Sequence, residues 1–287
     1  MHFRAIRNWS LTLLTLAITF GCNNGSTPSE ELLESDTSEN GSVESEIPSQ
    51  ALLSEDRSRT TAEYIDAGMP SPERTWTGND LARAANVLSS IYQTNPQALP
   101  KFQNDKSGEV FAKLVSAENL EFHHNASLPL PQRINDAFAL LQAIGQITKL
   151  YLTAHNQGYV EGSEFVEFAG FQLRTVVVIS ELVDEFVPTL DANDPDYGVR
   201  MQGLEQMRSG LATVVAGSLL SLTETSVYAV EDRRRMIDYL SETLPEILPR
   251  LSSANRQETL VRLKELANDP SLQDLKPELT ALQSKLK

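Results

Sequence analysis

A single cysteine, Cys22, stands in 287 residues, which excludes any disulfide within the chain. Alternating apolar and polar residues, the mark of half-buried strands, do not recur, and no repeat of about 20 to 50 residues stands out to suggest a solenoid. No stretch reaches the roughly 20 consecutive apolar residues that a membrane-spanning helix needs. The two longest, residues 11–22 and 211–222, have 12 each. Also missing are G-x-S-x-G, the P-loop, H-E-x-x-H and the nucleotide-binding glycine fingerprint, the common signatures of acyl transfer, phosphate binding, zinc hydrolysis and dinucleotide binding.

Positive charge is scarce as well. Lys and Arg total 24 against 39 Asp and Glu, a net −15. A surface that acidic disfavours nucleic acid, whose phosphates need cations. Two of the few basic residues come early: Arg4 and Arg7 precede the apolar run 11–22 (LTLLTLAITFGC), in which Gly21 stands before Cys22. A positive start, a short apolar stretch and a small residue together make a cleaved export signal. Residues 1–21 are therefore read as a signal peptide, and its removal takes the net charge from −15 to −17.

Thr19-Phe20-Gly21-Cys22 resembles the lipobox of bacterial lipoproteins, with Gly21 and Cys22 fitting and Thr19 standing where that family usually carries Leu. The resemblance implies that Cys22 is acylated, becomes the mature N-terminus and anchors the chain in a membrane. Asn23 in place of Asp after the cysteine implies sorting to the outer membrane of a Gram-negative cell, facing the periplasm or the cell surface. Cleavage by an ordinary signal peptidase and plain secretion is the alternative that Thr19 and Gly21 allow.

Residues 23–56 hold nine acids, eight serines and no Lys or Arg. Such a segment buries too little apolar area to offset its chain entropy. Residues 22–59 thus read as the lipidated cysteine with an acidic disordered tether, spanning roughly 30 Å, and residues 60–287 as a helical domain. The remainder from Arg57 onward carries −8. Sequons at Asn24, Asn40 and Asn125 matter only in a eukaryotic host.

From there on, apolar residues recur at helical spacing. Residues 79–93 carry Leu81, Ala85, Leu88 and Tyr92 behind a capping box of Thr77 and Asp80, and residues 107–118 repeat the pattern. Four longer segments follow: 131–156, with Pro131 in its first turn and a stop near Gly158; 163–187, capped by Ser163 and halted by Pro188; 194–222; and a last one from Thr225 or Ser226 to residue 244. Each spans roughly 30 to 42 Å, and short links force long helices to run antiparallel. The expected fold is all-α: an antiparallel bundle of four long helices with shorter N- and C-terminal helices. The C-terminal ones, 258–267 and 277–286, lie beyond breaks expected at Pro245 and Pro249.

Gly203, Gly210 and Gly217 recur every seven residues, which on a helix drifts by only about 20°, so they share one face beside Leu204, Met207, Leu211, Val214 and Ser218. Each glycine costs about 1 kcal/mol against Ala in a helix. Close helix packing explains that cost, and a slot for an apolar ligand is the sharper alternative. Glu121 and His124 form an E-x-x-H spacing, but a di-iron bundle needs two such pairs. Asp191, Asn193, Asp194 and Asp196 lack the EF-hand glycine and read as helix capping. Arg174, among Leu173, Val176, Val177 and Val178, reads as a half-buried partner of a carboxylate on a neighbouring helix. Arg233, Arg234 and Arg235 read as a solvated face with an i,i+4 pair from Glu231 to Arg235. The expectation is a membrane-anchored, non-catalytic envelope protein whose helical domain docks onto another protein, with no cofactor, metal or nucleic acid. A carrier or sensor of an apolar small molecule is the alternative.

Overall fold

The computed structural model describes residues 59–102 and 106–286. Residues 1–58, which hold the expected signal, Cys22 and acidic tether, lie outside the described residues. Every regular element among the described residues is a helix: Thr61–Asp66 (α1), Gly78–Thr94 (α2), Gly108–Leu114 (α3), Glu118–His124 (α4), Leu130–Asn156 (α5), Gly162–Phe186 (α6), Tyr197–Ser221 (α7), Val230–Ile247 (α8), Ser253–Asn268 (α9) and Lys276–Lys285 (α10).

The boundaries follow local chemistry. At α2 the Thr77 hydroxyl accepts the Asp80 N–H at 3.3 Å and the Asp80 carboxylate accepts the Thr77 N–H at 3.1 Å, the expected capping box. Arg74 grips the same carboxylate with two N–H groups at 2.7 and 2.6 Å. Past the end of α5, Gly158 adopts φ 77°, a left-handed turn that suits glycine. Tyr159 then returns its N–H to the Ala154 carbonyl at 2.9 Å. Five residues separate α5 from α6.

The core is organised around α6. Apolar residues surround that helix almost completely, among them Phe165, Phe168, Phe171, Val176, Ile179 and Val183, all buried, and a helix apolar all round belongs inside. Its most extensive partners are α5 on one side and α8 on the other. On its far side α5 packs against α2, whereas α8 meets α10; α7 rests on α6 and α9, and α9 closes against α10. The short helices α1, α3 and α4 cover the remaining end with an aromatic cluster. Phe111, Tyr151 and Phe168 meet at centroid distances of 5.0, 6.1 and 4.4 Å, Tyr151 donates to the Pro100 carbonyl at 2.8 Å, and Tyr64 donates to the Ala98 carbonyl. Trp76 is fully buried there. Its indole N–H donates to the Ser71 carbonyl at 2.8 Å and its backbone N–H to Asn119 Oδ1 at 3.1 Å.

Two glycines outside the seven-residue series allow the closest approaches. A Cβ on Gly78 would stand 2.3 Å from the Asp136 carbonyl oxygen and 2.7 Å from the Leu140 nitrogen, so the start of α2 touches the backbone of α5. A Cβ on Gly170 would stand 2.4 Å from the Tyr239 ring, which lies flat enough on α6 only because that side chain is missing.

Several boundaries depart from the sequence reading. Glu161, not Ser163, is the N-cap of α6: the Glu164 carboxylate accepts the Glu161 N–H at 2.7 Å, while the Ser163 hydroxyl is buried without a hydrogen-bond partner. The helix expected from residue 194 begins at Tyr197, because Asp191 and Asp194 accept the N–H groups of Asn193 and Asp196 in successive Asx turns, each at 2.9 Å. The helix expected from Thr225 or Ser226 begins at Val230, after turns in which the Glu224 carbonyl accepts the Val227 and Tyr228 N–H groups. Pro245 does not break α8 but lies inside it. Proline has no N–H to give the carbonyl four residues back, and here that Ser241 oxygen accepts Lys285 Nζ from α10 at 2.7 Å.

Candidate functional site

Gly203, Gly210 and Gly217 stand on one flank of α7, each half-buried, beside a fully buried stripe of Leu204, Met207, Leu211, Val214 and Ser218. A Cβ on Gly217 would meet nothing within 4 Å, so no neighbouring helix closes on that point. At about 100° per residue, the same flank carries Val199, Gln206 and Thr213. Val199 is 71% exposed. The three charged residues of α7, Arg200, Glu205 and Arg208, lie off this flank. Arg200 pairs with Asp194 at 3.1 Å and Arg208 with Glu205 at 2.7 Å. A solvent-facing side of a long helix is thus free of charge in a strongly acidic protein.

A second grouping was not legible from spacing. His123 is buried in α4, with Nε2 3.1 Å from Asp136 Oδ2 and Nδ1 3.2 Å from the Leu120 carbonyl. Asp136 also accepts the Gly78 N–H with both oxygens, at 3.0 and 2.9 Å, so one carboxylate ties the start of α2 to α4 and α5. Arg133, nearly buried at the start of α5, donates Nη1 to the His123 carbonyl at 3.1 Å and Nη2 to Glu185 of α6, while its Nε has no hydrogen-bond partner. Beside them opens a cleft of about 210 Å³ between α4, α5 and α6, lined by His124, Arg133, Glu181 and Glu185 over Ala126, Val178 and Leu182. His124 reaches towards Glu181 of α6, at 3.9 Å. Both ring nitrogens of His123 are engaged, which leaves neither available to move a proton to a substrate. A larger cleft of about 470 Å³, between Asp184, Arg208, Glu246 and the Pro249–Ser252 turn, is crossed by Arg250, whose Nε lies 2.6 Å from Asp184 Oδ2. Neither cleft is lined by the three glycines. No group of three or more His, Cys, Asp or Glu placed to hold a metal ion occurs among the described residues.

The arginines divide. Arg174 makes the expected pair, a two-pronged contact with Glu242 of α8 at 2.9 Å for each bond, and its guanidinium lies 5.2 Å from the Tyr239 ring centroid. Arg235 approaches the same ring at 4.9 Å. The solvated face expected of Arg233–Arg235 is corrected in two respects. Arg233 is buried, with Nη1 3.5 Å from the Leu222 carbonyl at the end of α7, where a cation meets the negative end of the helix dipole. Arg235 pairs with Glu167 of α6 at 3.1 Å instead of with Glu231.

Of the carboxyls that depart from the usual range, three are buried or half-buried. Burial pushes Glu164 upward despite the N–H groups of Glu161 and Phe102 that it accepts. Burial likewise raises Asp232, against the opposing N–H of Ala229 and the nearby His155 charge. At Asp80 burial also acts upward, but the hydrogen bonds from Arg74 and Thr77 together outweigh it and hold the carboxyl below the usual range.

No protein-family model, curated protein or solved structure matches this chain.

Proposed function

We propose that this is a lipid-anchored protein of the cell envelope, held through acylated Cys22 at the outer membrane, whose helical domain docks onto a protein partner without catalysing a reaction. The observation that carries this reading is the uncharged, solvent-facing flank of α7. In an acidic protein most surface contacts would bring like charges together, and such a flank lets a second protein approach without stripping water from carboxylates. Gly203, Gly210 and Gly217 admit a partner backbone at close range. In this reading the four long helices form an antiparallel bundle with α7 at its outside, and the acidic segment before residue 60 holds the domain clear of the lipid headgroups.

The test is affinity purification of the full chain from its own membranes, with analysis of both proteins and extracted small molecules. Gly217→Lys enters open space and should lose the partner without lowering the melting temperature. Cys22→Ser should release the protein from the membrane fraction, and unchanged retention would remove the anchor. A reproducible bound lipid with no protein partner would instead assign the domain as a carrier of an apolar small molecule.

A further inference from the structure

His155 lies near the end of α5, half-buried, with Nδ1 3.1 Å from the Val160 carbonyl oxygen and Nε2 3.1 Å from the Val227 carbonyl oxygen. Val160 belongs to the link between α5 and α6 and Val227 to the link between α7 and α8, so one ring joins two links that are distant in sequence. Carbonyl oxygens only accept. A neutral imidazole has one N–H and one lone pair, so it bonds to one of these oxygens and turns its lone pair towards the other. The imidazolium donates to both.

The surroundings suit the charged ring. Tyr228 stacks on it at a centroid distance of 5.5 Å and an angle of 11°, which places a cation over an aromatic face. Phe165 packs against Tyr228 at 5.2 Å. Carboxylates stand around this joint: Asp232 and Glu231 at the start of α8, Glu161 in the first link, Glu224 in the second and Glu164 in the first turn of α6. Arg233 is the neighbouring cation, and its guanidinium is directed to the Leu222 carbonyl.

We propose that His155 is a proton-dependent clamp: doubly protonated, it fastens the α7–α8 link to the α5–α6 link, and loss of one proton breaks one of the two ties. The joint is therefore fully held while the ring carries both protons and loosens when rising pH removes one. This device is independent of what α7 docks onto.

Val227 and Tyr228 report on the joint, because both donate their N–H to the Glu224 carbonyl at 3.0 Å. The experiment is hydrogen exchange at these two amides in the full chain over a series of pH values, corrected for intrinsic exchange, with the protonation of the His155 ring followed by NMR in the same samples. Their protection should fall about five- to tenfold, the worth of one hydrogen bond, as the ring loses its proton. In His155→Gln, whose amide donor reaches one carbonyl and does not titrate, protection should be low throughout and independent of pH. Unchanged protection in the wild type while the ring titrates overturns the clamp, as does the same pH dependence in His155→Gln. If that variant does not fold, the wild-type comparison alone decides.

Discussion

Adding one methyl group to Gly78 or to Gly217 should move stability in opposite directions. In Gly78→Ala the new carbon would sit 2.3 Å from one backbone atom of α5 and 2.7 Å from another. These atoms cannot swing aside, because Ala137, Leu140 and Ile144 bury that stretch of α5 in the core. Relief requires the start of α2 to move away, and with it the Gly78 N–H that both Asp136 oxygens accept. Overpacking costs about 1–3 kcal/mol and a weakened bond to a charged acceptor about 1.5–3 kcal/mol, against a helix-propensity gain of at most about 1 kcal/mol. A net loss of about 3 kcal/mol corresponds to a melting temperature lower by about 6–12 °C for a domain of this size. Gly217→Ala meets nothing within 4 Å, so only the propensity gain remains, a rise of about 2–4 °C. Thermal denaturation followed by circular dichroism reads both. A Gly78→Ala protein as stable as the wild type would show that α2 and α5 do not touch as described.

Other outcomes are expected. Arg174→Ala should cost no more than about 1 kcal/mol in urea denaturation, because the Glu242 pair is partly open to solvent and screened; a larger loss would mean that the Tyr239 stacking dominates. Lys285→Met should destabilise the wild type modestly, and the effect should vanish in the background of Pro245→Ala, where an N–H again occupies the Ser241 carbonyl. Equal effects in both backgrounds would refute that coupling. Asp80 is held below the usual carboxylate range, so its contribution is present at neutral pH and disappears as pH falls through its titration; stability curves of Asp80→Asn should accordingly be flatter in acid. Glu164 is raised by burial and has the opposite sign, so Glu164→Gln should lack the stability that the wild type gains when this group takes up its proton.

Local features of the fold were legible where the controlling residues are neighbours in sequence. The Thr77–Asp80 box needs a spacing of three, and Pro131 and Gly158 frame α5 through their own backbone preferences. For α6 the sequence showed the bounds, while its place at the centre of the core depends on α5 and α8 packed on either side. Legibility ended where a distant residue decides the outcome. Pro245 reads as a break until Lys285 is seen on its orphaned carbonyl, and Arg233 reads as surface until the end of α7 is placed against it. His123 became a structural residue because Asp136, on another helix, stands beside its ring. Thr225 and Ser226 have the chemistry of helix caps, yet the turns centred on Glu224 delay α8 until Val230. Gly78 and Gly170 carry no pattern at all, since the need for a missing side chain arises from the helix lying opposite.

Trp76 gives the molecule an optical address. It is the only tryptophan after Trp9, so a chain that has lost its first residues at the expected signal site emits from a single indole. That indole is sealed in the corner built by α1 to α4, far along the chain from α8 and α10. Its emission should shift to the red only when this corner opens to water, and it should ignore fraying at the Pro245 end. Fluorescence and helicity recorded on one sample would therefore show whether the two ends of the domain melt as one cooperative unit or in succession.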